Sequence, residues 1–202
     1  MDKKKLKSRL KKVWHFIWEE DSIWSWLVNV ILAFVLIKFL VYPGLGLALQ
    51  TDYPVVAVVS ESMEHDGNFD KWWDGKKEWY ITKGISKEEF SDFRFKNGFN
   101  KGDIMVLFGK KTENIANGDV IVFRSKRPDP IIHRVVDKWN ENKAVYFQTK
   151  GDHNLDSIKS YSLDETKIRQ DDVIGVAVLR VPFLGYVKIY FVELLKLLRI
   201  LK

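Results

Sequence analysis

At 202 residues the chain has room for one ordinary domain with some extra, or for a membrane anchor plus a domain of about 150 residues. It contains no cysteine, which excludes a disulfide framework, a thiolate metal site and a thiol nucleophile. The net charge of +6 is unevenly placed, because seven of the first twelve residues (MDKKKLKSRLKK) are Lys or Arg. A short basic tip before an apolar helix points to membrane orientation rather than to nucleic acid.

Residues 1–20 read as a basic cytoplasmic N-terminus, with Trp14, Phe16 and Trp18 near the headgroup layer. Residues 23–42, IWSWLVNVILAFVLIKFLVY, carry one charge, Lys38, and one amide, Asn29. Twenty residues at helical rise make about 30 Å, the thickness of a hydrocarbon core. Trp24, Trp26 and Tyr42 suit the two interfaces, and Lys38 can snorkel. The run is longer than the apolar part of a cleaved signal peptide and no A-x-A site follows, so residues 21–49 are expected to be a retained anchor. Pro43-Gly44-Leu45-Gly46 is expected to break or bend the helix. The positive-inside rule then places everything after about residue 50 outside the cytoplasm.

Residues 50–182 have a β pattern. Segments 53–60, 104–108, 120–124, 131–136, 144–149 and 173–181 are short and rich in Val, Ile and Phe, with Gly, Asp, Asn and Pro between them. Gly102-Asp103-Ile104-Met105-Val106-Leu107 and Gly118-Asp119-Val120-Ile121-Val122-Phe123 each look like a turn launching a buried strand. Residues 64–101 interrupt this pattern with Trp72, Trp73, Trp79, Phe90, Phe93, Phe95 and Phe99 among charged residues, an insertion with its own aromatic cluster. Ser86 and Glu89 fit a capping box for a short helix at 86–93. Aromatics among lysines also suit single-stranded nucleic acid, but an extracytoplasmic segment has no such partner, and none is expected. Residues 183–202 are rich in Leu and Ile, yet Lys188, Glu193, Lys196, Arg199 and Lys202 fall within about half the helix circumference. An amphipathic helix on the membrane is the first expectation, and a second span the alternative.

The chemistry-bearing residues are scattered. In Val58-Val59-Ser60-Glu61-Ser62-Met63-Glu64-His65, a strand would put Ser60 and Ser62 on one face, one hydroxyl to attack and one to donate a hydrogen bond. A serine nucleophile needs a base. Of four histidines, His133 lies inside the apolar run 130–136, where packing would fix its ring. Asp152 and Asp156, in Lys150-Gly151-Asp152-His153-Asn154-Leu155-Asp156, can orient an imidazole through its second nitrogen. They make a poor calcium loop, and no metal is expected. Lys150 is a rival base, but it would have to be buried with a lowered pKa. Each feature alone has an ordinary structural explanation: a strand end, a sheet histidine, turn-forming aspartates.

Together and in this order, the anchor, Ser60-x-Ser62-Met63-Glu64, the Gly-Asp-Val-Ile-Val-Phe strand, Ile132-His133-Arg134-Val135 and Lys150-Gly151-Asp152-x-Asn154 resemble the type I signal peptidases. The histidine form resembles the archaeal and endoplasmic-reticulum branch, whereas the common bacterial branch uses a lysine base. The resemblance covers most of residues 20–190. Two departures are visible: Glu61 stands where the branch has glycine and His65 where it has proline, and the insertion at 64–101 is long.

The resemblance implies a mostly β catalytic domain, a small sheet or barrel system, beside an N-terminal transmembrane helix. It implies a membrane-bound serine endopeptidase that removes signal peptides from exported preproteins through an acyl-enzyme, without a cofactor. Ser62 would be the nucleophile, His133 the general base, and Asp152 or Asp156 the group orienting His133. Ser60 and the backbone N–H of Ser62 would hold the oxyanion. The preprotein would bind as an extended strand, with the lipid bilayer as a second partner and room for further subunits. The membrane would be the cell membrane or one of endoplasmic-reticulum type. A non-catalytic tethered β-domain, scaffolding a secretion complex, is the alternative.

Overall fold

The computed structural model describes residues 3–197, so the last part of the expected C-terminal helix, residues 198–202, lies outside the described residues. The chain divides into two compact units, residues 1–48 and 49–202.

The first unit begins with α1 (Lys3–Trp18), followed by a turn and α2 (Ile23–Leu36). Ser22 caps α2, its side chain accepting from the Ser25 N–H. The helix does not break at Pro43. It passes through a π-helical turn, Ile37–Val41, into α3 (Tyr42–Leu49), one apolar helix from Ile23 to Leu49. A proline lacks an N–H and crowds the carbonyl one turn back. Widening the turn just before Pro43, where the Tyr42 N–H reaches the Ile37 carbonyl, gives that carbonyl layer room. The 27-residue helix is long and apolar enough to cross a membrane.

The second unit is built on one seven-stranded sheet. Its strands are β1 (Val55–Ala57), β2 (Ile104–Phe108), β3 (Val120–Phe123), β4 (Ile131–Glu141), β5 (Ala144–Lys150), β6 (Ile168–Arg169) and β7 (Val173–Val181). The spatial order is β1-β2-β7-β3-β4-β5-β6, antiparallel throughout. β3 is buried on both faces: Ile121 and Phe123 join a core with Val135, Phe147 and Val176, and Val120 and Val122 join a second with Met63, Met105 and Leu107. That is why its sequence is an unbroken apolar run rather than an alternating one. Gly102 and Gly118, which precede β2 and β3, share a φ of 89°, a left-handed turn that glycine adopts without strain.

Three strand expectations change. The first strand stops at Ala57; Val58 keeps an irregular pair of hydrogen bonds to Asp103 and Gly102 before the chain turns. β4 runs on to Glu141 and closes a hairpin through Asn142 and Lys143, both at positive φ, a two-residue turn that matches strand twist. β6 is a two-residue edge strand that no composition signal marks.

The insertion is helical. α4 (Phe69–Thr82) is capped by Asn68, and α5 (Lys87–Asp92) by Ser86, whose hydroxyl accepts from Glu89 N–H. Trp72, Trp73, Tyr80, Ile85, Phe90 and Val136 form a third core where the insertion packs on β4. The chain ends, among the described residues, in α6 (Tyr186–Leu197). Val187, Tyr190, Phe191, Leu194 and Leu197 stand exposed on it.

Candidate active site

The period of two along β4 and β5 decides where each polar group goes. Ile131, His133 and Val135 point to one face of β4, Ile132, Arg134 and Val136 to the other. Across the strand pair, Val135 faces Thr149 and Arg134 faces Lys150. Adjacent residues of one motif therefore serve two separate polar networks.

On the first face, His133 is buried and its Nε2 lies 2.9 Å from the Oγ of Ser62. Ser62 is not on a strand. It sits in a turn closed by Glu64 N–H donating to the Glu61 carbonyl, and this turn brings Ser60 Oγ within 3.1 Å of Ser62 Oγ. Met63 packs beneath, fully buried, its sulfur accepting from the Asp152 N–H. The Ser62 carbonyl accepts from the His153 N–H at 2.9 Å, fixing the turn to the loop after β5. Gly151 occupies the closest approach there: a Cβ on it would come within 2.7 Å of the Ser62 carbonyl and 3.0 Å of His133 Nε2.

The carboxylate at the other imidazole nitrogen is Glu165. Its Oε1 lies 2.5 Å from His133 Nδ1 and also accepts from Thr149 Oγ1 at 2.8 Å, and its Oε2 accepts from the Ile158 N–H at 2.8 Å. A carboxylate at Nδ1 keeps the ring proton there and leaves Nε2 as an acceptor facing the Ser62 hydroxyl. Glu165 is fully buried in the loop between β5 and β6. Sequence reasoning passed over it, because no motif surrounds it and it lies 32 residues from His133.

Neither aspartate expected in that place touches His133. Asp152 follows Lys150 by two residues, so alternation carries it to the opposite face, beside Arg134. Arg134 is fully buried and all five of its N–H donors are used. Nε and Nη2 bind Asp152, at 2.9 and 2.6 Å; Nη1 binds the Arg94 and Gly118 carbonyls, and Nη2 also the Phe95 carbonyl. Tyr80 O–H and His65 Nε2 complete the shell of Asp152, at 3.0 Å each, with the His65 ring stacked on Trp72. Burial opposes charge on Asp152, but the guanidinium of Arg134, with hydrogen bonds from His65 and Arg134, holds its carboxyl well below the usual range. Asp156 accepts instead from the Trp79 indole N–H, at 2.8 Å.

Lys150 also lies on this second face. Its ammonium bonds the Gly151 carbonyl at 3.1 Å and faces the rings of Tyr80 and Trp79. Burial pushes it down to about 8, a value that would suit a base, but Ser62 Oγ has His133 and Ser60 as its partners.

Ser60, Ser62, Arg127, His133, Asn154 and Ile158 are among the residues that line a cleft of about 340 Å³. Among the described residues, no cluster of three or more His, Asp or Glu is arranged to hold a metal ion.

No family model matches the chain. Among curated proteins, the signal peptidase complex catalytic subunit sec11 of Pyrenophora teres f. teres is 30% identical over 159 residues, covering 77% of this chain and 73% of the relative. The subunits of the same name from Sclerotinia sclerotiorum and Pyricularia oryzae are 29% and 28% identical over 158 residues, with the same coverage. A serine and an imidazole in hydrogen-bonding contact, on a β domain preceded by an apolar helix, fit that similarity: the chain belongs to the type I signal peptidase family of serine endopeptidases, in the branch of the SEC11 catalytic subunits.

Proposed function

We propose that the protein is a membrane-bound peptidase that removes N-terminal signal peptides from exported preproteins through an acyl-enzyme formed on Ser62. The observation that carries the reading is the chain of contacts Ser62 Oγ–His133 Nε2–His133 Nδ1–Glu165 Oε1, at 2.9 and 2.5 Å. Ser62 Oγ attacks the scissile carbonyl while its proton passes to His133 Nε2. The imidazolium is held by Glu165, a positioning residue. The C–N bond breaks as His133 returns the proton to the leaving amine. A water then deacylates Ser62 by the same base. Ser60 Oγ and the Ser62 N–H stabilise the oxyanion, and losing one such donor costs roughly 10²–10³ in rate.

The preprotein enters the cleft as an extended strand. The helix Ile23–Leu49 is the anchor, with the basic residues 1–20 on the cytoplasmic side and residues 50–182 on the other. The exposed apolar side chains of α6 suit a helix lying on the bilayer. The names of the relatives place those proteins in a signal peptidase complex, so we expect an endoplasmic-reticulum-type membrane and further subunits for this chain too.

The test is cleavage of a signal-peptide-bearing preprotein by the solubilised wild type and by Ser62→Ala, His133→Ala and Lys150→Met, with folding checked for each. Wild type and Lys150→Met should cut, while the folded Ser62 and His133 variants should not. Loss of cleavage in Lys150→Met alone, with His133→Ala active, would transfer the role of base to the lysine.

A further inference from the structure

α1 is an amphipathic helix with an exposed apolar face. At 100° per residue, Leu6, Leu10, Val13, Trp14 and Ile17 fall in a sector of about 100°, interrupted only by Lys3 in the first turn. Lys4, Lys5, Lys7, Arg9, Lys11 and Lys12 share the rest of the circumference with Ser8, His15, Phe16 and Trp18. Leu6, Leu10, Val13 and Trp14 are exposed and Ile17 is half-buried, so α2 leaves most of the apolar stripe uncovered.

How α1 is fastened says what covers it. Ser25 Oγ donates to the Phe16 carbonyl at 2.6 Å and Asn29 Nδ2 to the Ile17 carbonyl at 2.8 Å. These are carbonyls of the last turn of α1, which its own helix leaves without partners. Ser25 is the one buried residue of α2, and Asn29 the one amide in an otherwise apolar run. The two polar residues of the helix thus cap the neighbouring one. Helix carbonyls point along the axis toward the C-terminus, so α1 abuts the flank of α2 instead of continuing it. Asn29 lies six residues past Ile23, about 9 Å along α2. In-plane helices seat their apolar face about 5–10 Å into the headgroup and acyl boundary. The turn itself, Glu19-Glu20-Asp21-Ser22, puts its acids at the N-terminus of α2, where the helix dipole favours them.

We propose that α1 is an in-plane helix that binds the anionic lipid of the leaflet in which α2 begins, its apolar stripe in the acyl boundary and its lysines on the acidic headgroups. The inference rests on the proposed anchor. The occupant is lipid rather than protein because the stripe is continuous with a helix of membrane-spanning character and its flanks carry six like charges.

The absence of cysteine makes the test direct. Single-cysteine variants Leu10→Cys, Lys12→Cys and Val35→Cys of the full chain are spin-labelled and reconstituted into phosphatidylcholine vesicles with or without phosphatidylserine. Collisions with oxygen and with a water-soluble nickel chelate report lipid and aqueous exposure. The Leu10 label should collide with oxygen and lose at least about half its nickel collisions when phosphatidylserine is added. High salt, or Lys4, Lys7 and Lys11 changed together to Gln, should restore them. The Lys12 label should stay aqueous. A Leu10 label shielded from both reagents would mean a protein partner, one aqueous in both vesicles would mean no insertion, and one equally lipidic in both would remove the anionic selectivity; each overturns the proposal. The Val35 label separates this from the anchor: if it is aqueous, the anchor reading fails and the proposal falls with it, and if it is in lipid, the Leu10 label alone decides.

Discussion

Glu165 touches three donors at once: the imidazole of His133, the hydroxyl of Thr149 and the backbone of Ile158. A glutamine of the same shape can present an amide N–H to His133 Nδ1, which favours the wrong tautomer and leaves no charge to hold the imidazolium. Glu165→Gln should therefore lower kcat by roughly 10³–10⁴, by analogy with an Asp→Asn change at the carboxylate of a serine-protease triad. Asp156→Asn, which keeps a side-chain oxygen to accept from the Trp79 indole and the Ser157 N–H, should leave kcat close to that of wild type. Steady-state cleavage by the two variants decides between them; a large loss in Asp156→Asn with an active Glu165→Gln would return the orienting role to the aspartate. Ser62, His133 and the neighbouring Ser60 were legible in the sequence because each sits in a short motif. Glu165 was not, because its place depends on how a loop folds back across β5.

The strands were legible as far as their apolar runs went, and the faces they present could have been read further. Alternation alone separates His133 from Arg134 and sets Arg134 opposite Lys150, yet the motif Ile132-His133-Arg134-Val135 draws attention to the histidine only. α4 was hidden for a different reason. Trp72, Trp73 and Tyr80 keep helical spacing, but Gly75, Lys76 and Lys77 interrupt it, and the helix is stabilised by packing on β4 rather than by its own periodicity. Arg134 is the polar link of β4 to the insertion, stacked on Phe90 and bonded to the carbonyls of Arg94 and Phe95. Lysine offers three donors from one point and cannot reproduce this planar fork. Arg134→Lys should destabilise the second unit by about 3 kcal/mol, since it gives up the bidentate pairing with Asp152 and leaves the buried carbonyls of Arg94, Gly118 and Phe95 short of donors. The shift of the denaturation midpoint measures it, and an unchanged midpoint would mean that the aromatic cluster alone holds the insertion.

Across the whole molecule, the ionisable groups of the second network give stability a pH profile distinct from that of catalysis. Asp152 is held below its ordinary value, so in acid the unfolded chain binds the extra proton; its contribution is present above about pH 4 and is lost as pH falls below that. Lys150 behaves differently, because burial lowers its pKa to about 8 and makes its charge a cost below that pH. Between about pH 8 and the ordinary lysine value near 10.4, the folded chain has given up this proton while the unfolded chain still holds it. Stability linked to Lys150 therefore rises with pH through that window, by up to about 3 kcal/mol for the full shift. Tyr80 acts in the opposite direction, since burial and the charge of Asp152 raise its pKa and it costs stability only above its ordinary value of about 10. Below about pH 10 Tyr80 stays protonated in both states, so the difference between wild type and Lys150→Met reports the lysine. Denaturation of both proteins from pH 7 to 10 should show wild type gaining on the variant as pH rises. Parallel profiles would mean that the ammonium keeps its proton through the carbonyls of Gly151 and Asp152 and the rings of Tyr80 and Trp79. Lys150 would then be a permanently charged clasp on the loop that holds the Ser62 carbonyl, and a lysine fixed in that state has no lone pair with which to serve as a base.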